Sequence, residues 1–149
     1  MYKKILMPVE NSPYDDAIVD HVRQLAKVCK SAIVLMHVAD GWAARNISQL
    51  SLRESEEMKK DREYIEHISA TLEADGLDAE ALLASGDPAS EIAQAAAREG
   101  CDLIAMSTHG HKFIGDLVHG SVSNTVRHSS TIPVLLVRGS PHGRGGDQK

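Results

Sequence analysis

A chain of 149 residues, 42% hydrophobic and 25% charged, has the size and make-up of one soluble domain. A formal net charge of −5, with no cluster of Lys and Arg, excludes a general nucleic-acid binder, which needs a basic face. One Trp, three Tyr and one Phe are too few for a base-stacking platform, and no apolar run is long enough to insert in a membrane.

The chain opens on KKILMPV, residues 3–9, an apolar run of strand length that leaves no room for a signal peptide; a cytoplasmic location is expected. Cys29 and Cys101 match no metal or redox spacing and suit reduced, packed thiols in that compartment. Ser12-Pro13 then predicts a helix start, with a hydroxyl at the cap, proline in the first turn and Asp15-Asp16 near the positive end of the dipole. Ile18, Val22, Leu25 and Cys29 follow at helical spacing.

AIVLMHV, residues 32–38, is a second buried strand, and residues 39–51 are polar and irregular. A long helix follows to about Ala74, with Met58, Ile65, Ile68 and Leu72 on one face, and Asp75-Gly76 ends it. Residues 79–85 form a third strand, Gly86-Asp87-Pro88 a turn, and a helix through Ile92 and Ala96 stops at Gly100. Residues 102–108 form the fourth strand, a helix covers about 120–129, and residues 133–137 form the last strand. The glycine-rich stretch 139–149 has nothing to bury and reads as a disordered tail after a domain of residues 1–138.

Five strands and four helices alternate, and most of the strands are continuously apolar. That pattern predicts an α/β fold: a doubly wound, Rossmann-like parallel sheet with helices on both faces. In such sheets ligands bind beyond the carboxyl ends of the strands, where the strand order reverses. The candidate loops are residues 8–12, Val38-Ala39-Asp40, and residues 106–121.

The third loop, MSTHGHKFIGDLVHGS, suits a phosphate cradle, a metal site or a plain turn. Its helix restarts at Gly120-Ser121, so free N–H groups face the loop with the positive end of a helix dipole behind them. It is not a Walker A loop, since Asp116-Leu117 stands where Lys-Ser/Thr is required, and no GxGxxG follows the first strand. His109, His111, His119 and His128 cluster in sequence, but no Cys or spaced acid completes a zinc set, so no metal ligand is assigned. Ser121 has no ordered base to make it a nucleophile, and no catalytic residue is assigned. His37, at the end of a buried strand, reads as a hydrogen-bonded core residue.

At this point the residues resemble a known family. Ser107-x2-Gly110-x9-Gly120-Ser121 is similar to Gly-x2-Gly-x9-Gly-Ser/Thr, the ATP-binding signature of the universal stress protein family. YKKILMPVENS, HVAD, SGDPASEIAQAAAREGCDLIAMSTHG and GSVSNTVRHSSTIPVLLV resemble its other segments, so the likeness covers about residues 2–138. The resemblance implies a sheet of order 3-2-1-4-5 and a homodimer joined through the last strand, residues 132–138. The apolar edge there needs a partner.

It also implies ATP, with Mg²⁺, across the ends of strands one, two and four. Gly110, Gly120, Ser121 and Val122 would hold the phosphates, and Met106 and Ser107 would lie along the ribose. The Val38 backbone would face the adenine edge, and Pro8, Val9 and Glu10 would wall base and sugar. Two residues depart from the family pattern: Ser107 replaces the first glycine of the signature, and Glu10 replaces an aspartate. The implied function is a nucleotide-dependent regulatory sensor in stress response, read by a protein partner. The alternatives are a nucleotide-free dimeric interaction module and a slow ATPase. Any turnover would be slow without a Walker lysine or an arginine finger.

Overall fold

The computed structural model describes residues 1–40, 51–108, 122 and 124–139. In chain order the elements are β1 (Lys4–Pro8), α1 (Asp15–Cys29), β2 (Ala32–Asp40), α2 (Ser51–Ala74), β3 (Asp78–Gly86), α3 (Pro88–Arg98) and β4 (Leu103–Thr108). A last helix includes residues 122 and 124–129, and β5 (Val134–Arg138) closes the series. The strands form one parallel sheet in the order β3-β2-β1-β4-β5, as the resemblance implied. Leu6 of β1 sits between Val34 of β2 and Ile104 of β4, at the centre.

Alternate residues of the central strands feed two cores. Ile5, Met7, Ile33, Leu35, Leu103 and Ala105 pack against Ile18 and Val22 of α1 and Ile65 and Leu72 of α2. Leu6, Val34, Met36, Ile104 and Met106 pack against Ile92, Ala95 and Ala96 of α3 and Val126 of the last helix. Burial on both faces is why β1 and β4 read as unbroken apolar runs.

The structure differs from the sequence reading at the start of α1. The helix begins at Asp15, and Tyr14 ahead of it makes no capping bond through its side chain. Ser12 Oγ accepts only the Tyr14 N–H, at 3.3 Å. The acceptor that organises this turn is Asp15, whose carboxylate takes the N–H groups of Glu10 (3.0 Å), Asn11 (2.8 Å) and Ser12 (3.0 Å). A carboxylate with two oxygens satisfies three loop donors, which a hydroxyl does not. Asn11 turns the chain with a left-handed φ of 65°, a conformation that asparagine tolerates better than most residues.

A second difference is the length of β2. Ala39 and Asp40 continue the strand past Val38 because β3 runs beside them, Ala39 opposite Ser85 and Asp40 opposite Gly86. The expected helix through Ile92 and Ala96 is α3, and the structure adds its cap: Asp87 accepts the Ser90 N–H at 3.0 Å, with Pro88 in the first turn. Gly139, the first residue assigned to the tail, is buried, and its N–H donates to the Thr108 carbonyl. Residues 140–149 lie outside the described residues. Cys101 is buried, which pushes its thiol up to about 11 and makes it a poor nucleophile.

Asp102 ties the amino end of β1 to β4, accepting the N–H groups of Lys3 and Lys4 at 2.9–3.1 Å. The Lys3 amide, and then the Lys4 amide, hold its carboxyl below the ordinary range. A depressed carboxylate contributes its stability above the unfolded value and loses it as pH falls below about 4. Asp102→Asn is therefore expected to lower the urea midpoint at pH 7. The gap to the parent should close in acid, as equilibrium unfolding across pH will show.

Candidate functional site

The strand order reverses between β1 and β4, since β1 leads outward through β2 to β3 while β4 leads the other way to β5. At the carboxyl ends of the strands this leaves a cavity of about 240 Å³. Seven of the sequence-selected residues line it: Pro8, Val9 and Glu10 from the end of β1, Val38 from β2, Met106 and Ser107 from β4, and Val122 from the last helix. Gly110, Gly120 and Ser121, together with His109, His111 and His119, lie outside the described residues.

Three further residues line the cavity: His37, Pro88 and Ile92. Pro88 and Ile92 follow the Gly86-Asp87-Pro88 turn, a strand-end loop that the same rule would have selected. His37 makes the core hydrogen bond expected of it, Nδ1 lying 3.0 Å from the Val9 carbonyl. It also reaches the cavity wall and places Nε2 3.2 Å from Asp61 Oδ2 on α2.

The loop of residues 9–12, which brings Val9 and Glu10 to the cavity, is held from behind. Besides the three loop amides, Asp15 accepts the Tyr64 hydroxyl at 2.6 Å and is 1% exposed. Burial, and then the bond to Asp15, drive the Tyr64 phenol far above its ordinary range, so it stays a donor at any physiological pH. Asp61 Oδ1 accepts Asn11 Nδ2 at 3.1 Å, a second tie from α2 to the same loop.

The lining is mostly aliphatic, with Glu10, His37 and Ser107 as its polar members. An apolar slot with a few polar groups suits a flat heterocycle joined to a hydroxylated or charged portion. Ser107 does not obstruct it. Its Oγ is buried close under Gly139, where an added Cβ would stand 2.8 Å from Oγ and 3.1 Å from Tyr14 O. Among the described residues nothing hydrogen-bonds to that Oγ. A buried hydroxyl without a partner carries a desolvation cost, so Ser107→Ala is expected to raise stability by about 1 kcal/mol. Thermal and urea unfolding will check this. Among the described residues no group of three or more His, Cys, Asp or Glu is placed to hold a metal ion.

The model of the universal stress protein family matches residues 1–138. The chain belongs to the universal stress protein family. Universal stress protein MJ0577 of Methanocaldococcus jannaschii is 30% identical, the match covering 93% of this chain and 96% of the relative. The solved structure of MJ0577 superposes with a TM-score of 0.78 at 28% identity, over 94% of this chain and 98% of that one. Two more distant universal stress proteins share the fold. One, solved in complex with cAMP, has a TM-score of 0.66 at 20% identity over 93% of this chain and 98% of its own. The other, from Archaeoglobus fulgidus and solved in complex with dAMP, has a TM-score of 0.63 at 17% identity over 91% and 98%. Among the described residues of this universal stress protein, no helix is long and apolar enough to cross a membrane.

Proposed function

We propose that this universal stress protein binds ATP, with Mg²⁺, in the strand-end cavity and acts as a nucleotide-dependent regulatory dimer in the cytoplasm. The observation that carries this reading is the cavity itself, which joins Val38, Met106 and Val122 at the point where the sheet order reverses. Its volume suits the base and sugar. The phosphates would then lie toward Val122 and the loop before it, where the family signature implies that Gly110, Gly120 and Ser121 would offer amides and a hydroxyl to an anion. Glu10 on the wall suits a ribose hydroxyl or the water shell of Mg²⁺. The cAMP and dAMP held by the two distant relatives share adenine, sugar and phosphate with ATP, which supports the same class of ligand here.

β5 lies at one edge of the sheet, with Leu136 39% exposed. An apolar edge strand of this kind favours pairing with a second copy through residues 132–138, and the dimer would present the nucleotide state to a regulatory partner.

The reading is tested by titrating ATP into the parent and into Gly120→Val in a calorimeter. A side chain at Gly120 would crowd the phosphate amides, and affinity should fall roughly 10- to 100-fold, the loss of one or two charge-assisted hydrogen bonds. Equal affinity would remove Gly120 from the site. Parent protein that binds no ATP and carries no adenine after heat release would leave the nucleotide-free module as the reading.

A further inference from the structure

His37 stands between two groups that only accept hydrogen bonds. Nδ1 faces the Val9 carbonyl at 3.0 Å, and Nε2 faces the Asp61 carboxylate at 3.2 Å. A neutral imidazole carries one N–H, so only the doubly protonated ring donates to both. The second oxygen of Asp61 accepts Asn11 Nδ2 at 3.1 Å, and Asn11 holds the left-handed turn of the β1–α1 loop. Val9 and His37 both line the cavity.

We infer that His37 and Asp61 form a proton-dependent positioning pair that fixes the Val9–Asn11 loop, whose Val9 and Glu10 line the cavity, and thereby sets nucleotide affinity. The inference rests on the nucleotide reading above and adds helix α2 to the site. With both ring protons present, Asp61 is anchored to β2 through His37 and to the loop through Asn11. When the second proton leaves, the one remaining N–H serves either the Val9 carbonyl or Asp61, and the other acceptor faces a lone pair. One of the two ties to the loop is then lost.

Tyr64, three residues after Asp61 on α2, donates to Asp15, and its phenol feels Asp15 and Asp16 on α1 and Glu10 on the loop. On β3 the neighbour of His37 is Leu83, and on the β1 side it is Val9, neither of which titrates. A positive ring on the cavity wall also attracts an anionic ligand, so charge and loop order act in the same direction. Affinity should be higher where the ring is doubly protonated and should fall as pH rises.

The experiment is an ATP titration of the parent, Asp61→Asn and Asp61→Ala from pH 5.5 to 8.5, read as affinity ratios so that the titration of ATP itself cancels. An asparagine amide donates to a neutral Nε2 while its oxygen still accepts from Asn11, so Asp61→Asn keeps the tie without needing the second proton. The ratio of Asp61→Asn to parent Kd should change by about tenfold across the range, the parent binding relatively tighter in acid. Asp61→Ala should be weaker than the parent at pH 5.5, by about the same factor. A flat ratio for Asp61→Asn, or an Asp61→Ala variant that binds like the parent, would overturn the inference.

Should the parent bind no ATP at any pH, the nucleotide reading fails and the pair is judged separately by NMR of the free protein. The amide resonances of Val9 and Asn11 should follow the His37 titration in the parent and not in Asp61→Asn. Resonances that ignore it would reject the pair.

Discussion

Asp15→Ala is expected to lower the unfolding free energy by about 3 kcal/mol, a fall of roughly 6–12 °C in melting temperature for a domain of this size. The cost has a definite origin. Asp15 is buried, and its two oxygens accept the amides of Glu10, Asn11 and Ser12 and the Tyr64 hydroxyl. Alanine leaves four donors without their acceptor in a tight turn that contains a left-handed residue. Water can reach some of them, which is why the figure is well below four separate penalties. Asp15→Asn, which keeps one acceptor oxygen, should lose about half as much. The loop that Asp15 organises is also the cavity wall, so Asp15→Ala should weaken ATP binding as well as the fold. Urea unfolding monitored by circular dichroism reads the first effect. A change of less than 0.5 kcal/mol, roughly what an unremarkable surface substitution produces, would show that the loop is held by something else.

The second large effect is expected from filling the cavity. Val38 lies at the carboxyl end of β2, packs at the edge of the core that holds Met36 and Met106, and lines the space. Val38→Trp places an indole where an adenine is proposed to sit. ATP affinity should fall by at least about 100-fold, a loss of nearly 3 kcal/mol. Stability should hold to within about 1 kcal/mol, because the added rings occupy open space rather than packed core. Calorimetric titration beside thermal unfolding separates the two effects. A folded Val38→Trp that binds ATP like the parent would put the base elsewhere.

The order of the elements was legible because apolar runs and helical spacing are local signals. Ile18 and Val22 in α1, and Ile92 and Ala96 in α3, fall inward where their spacing put them. What escaped was set by contacts between distant segments. Ala39-Asp40 read as the start of an irregular segment, yet β3 holds both as strand, and nothing in those two residues announces the pairing. Ser12-Pro13 carries a helix-start signal, but the turn is governed by a carboxylate three residues later that serves the loop amides.

At the site, the rule that ligands sit beyond strand ends selected the loops 8–12, 38–40 and 106–121, the family resemblance singled out Pro8, Val9, Glu10, Val38, Met106, Ser107 and Val122, and the fold brings these seven to one cavity. The strand order itself came from family resemblance, since alternation alone allows several orders. His37 read as a core histidine, and it is one through Val9. Its second partner, Asp61, belongs to a helix with no motif to mark it, so only the folded chain joins them.

The most direct measurement is a crystal structure of the parent protein grown with excess ATP and Mg²⁺. The adenine should lie in the cavity between Val38 and Met106, with the phosphates over the amides that begin the last helix. Protein side chains filling that cavity, or nucleotide bound on another face, would contradict the account.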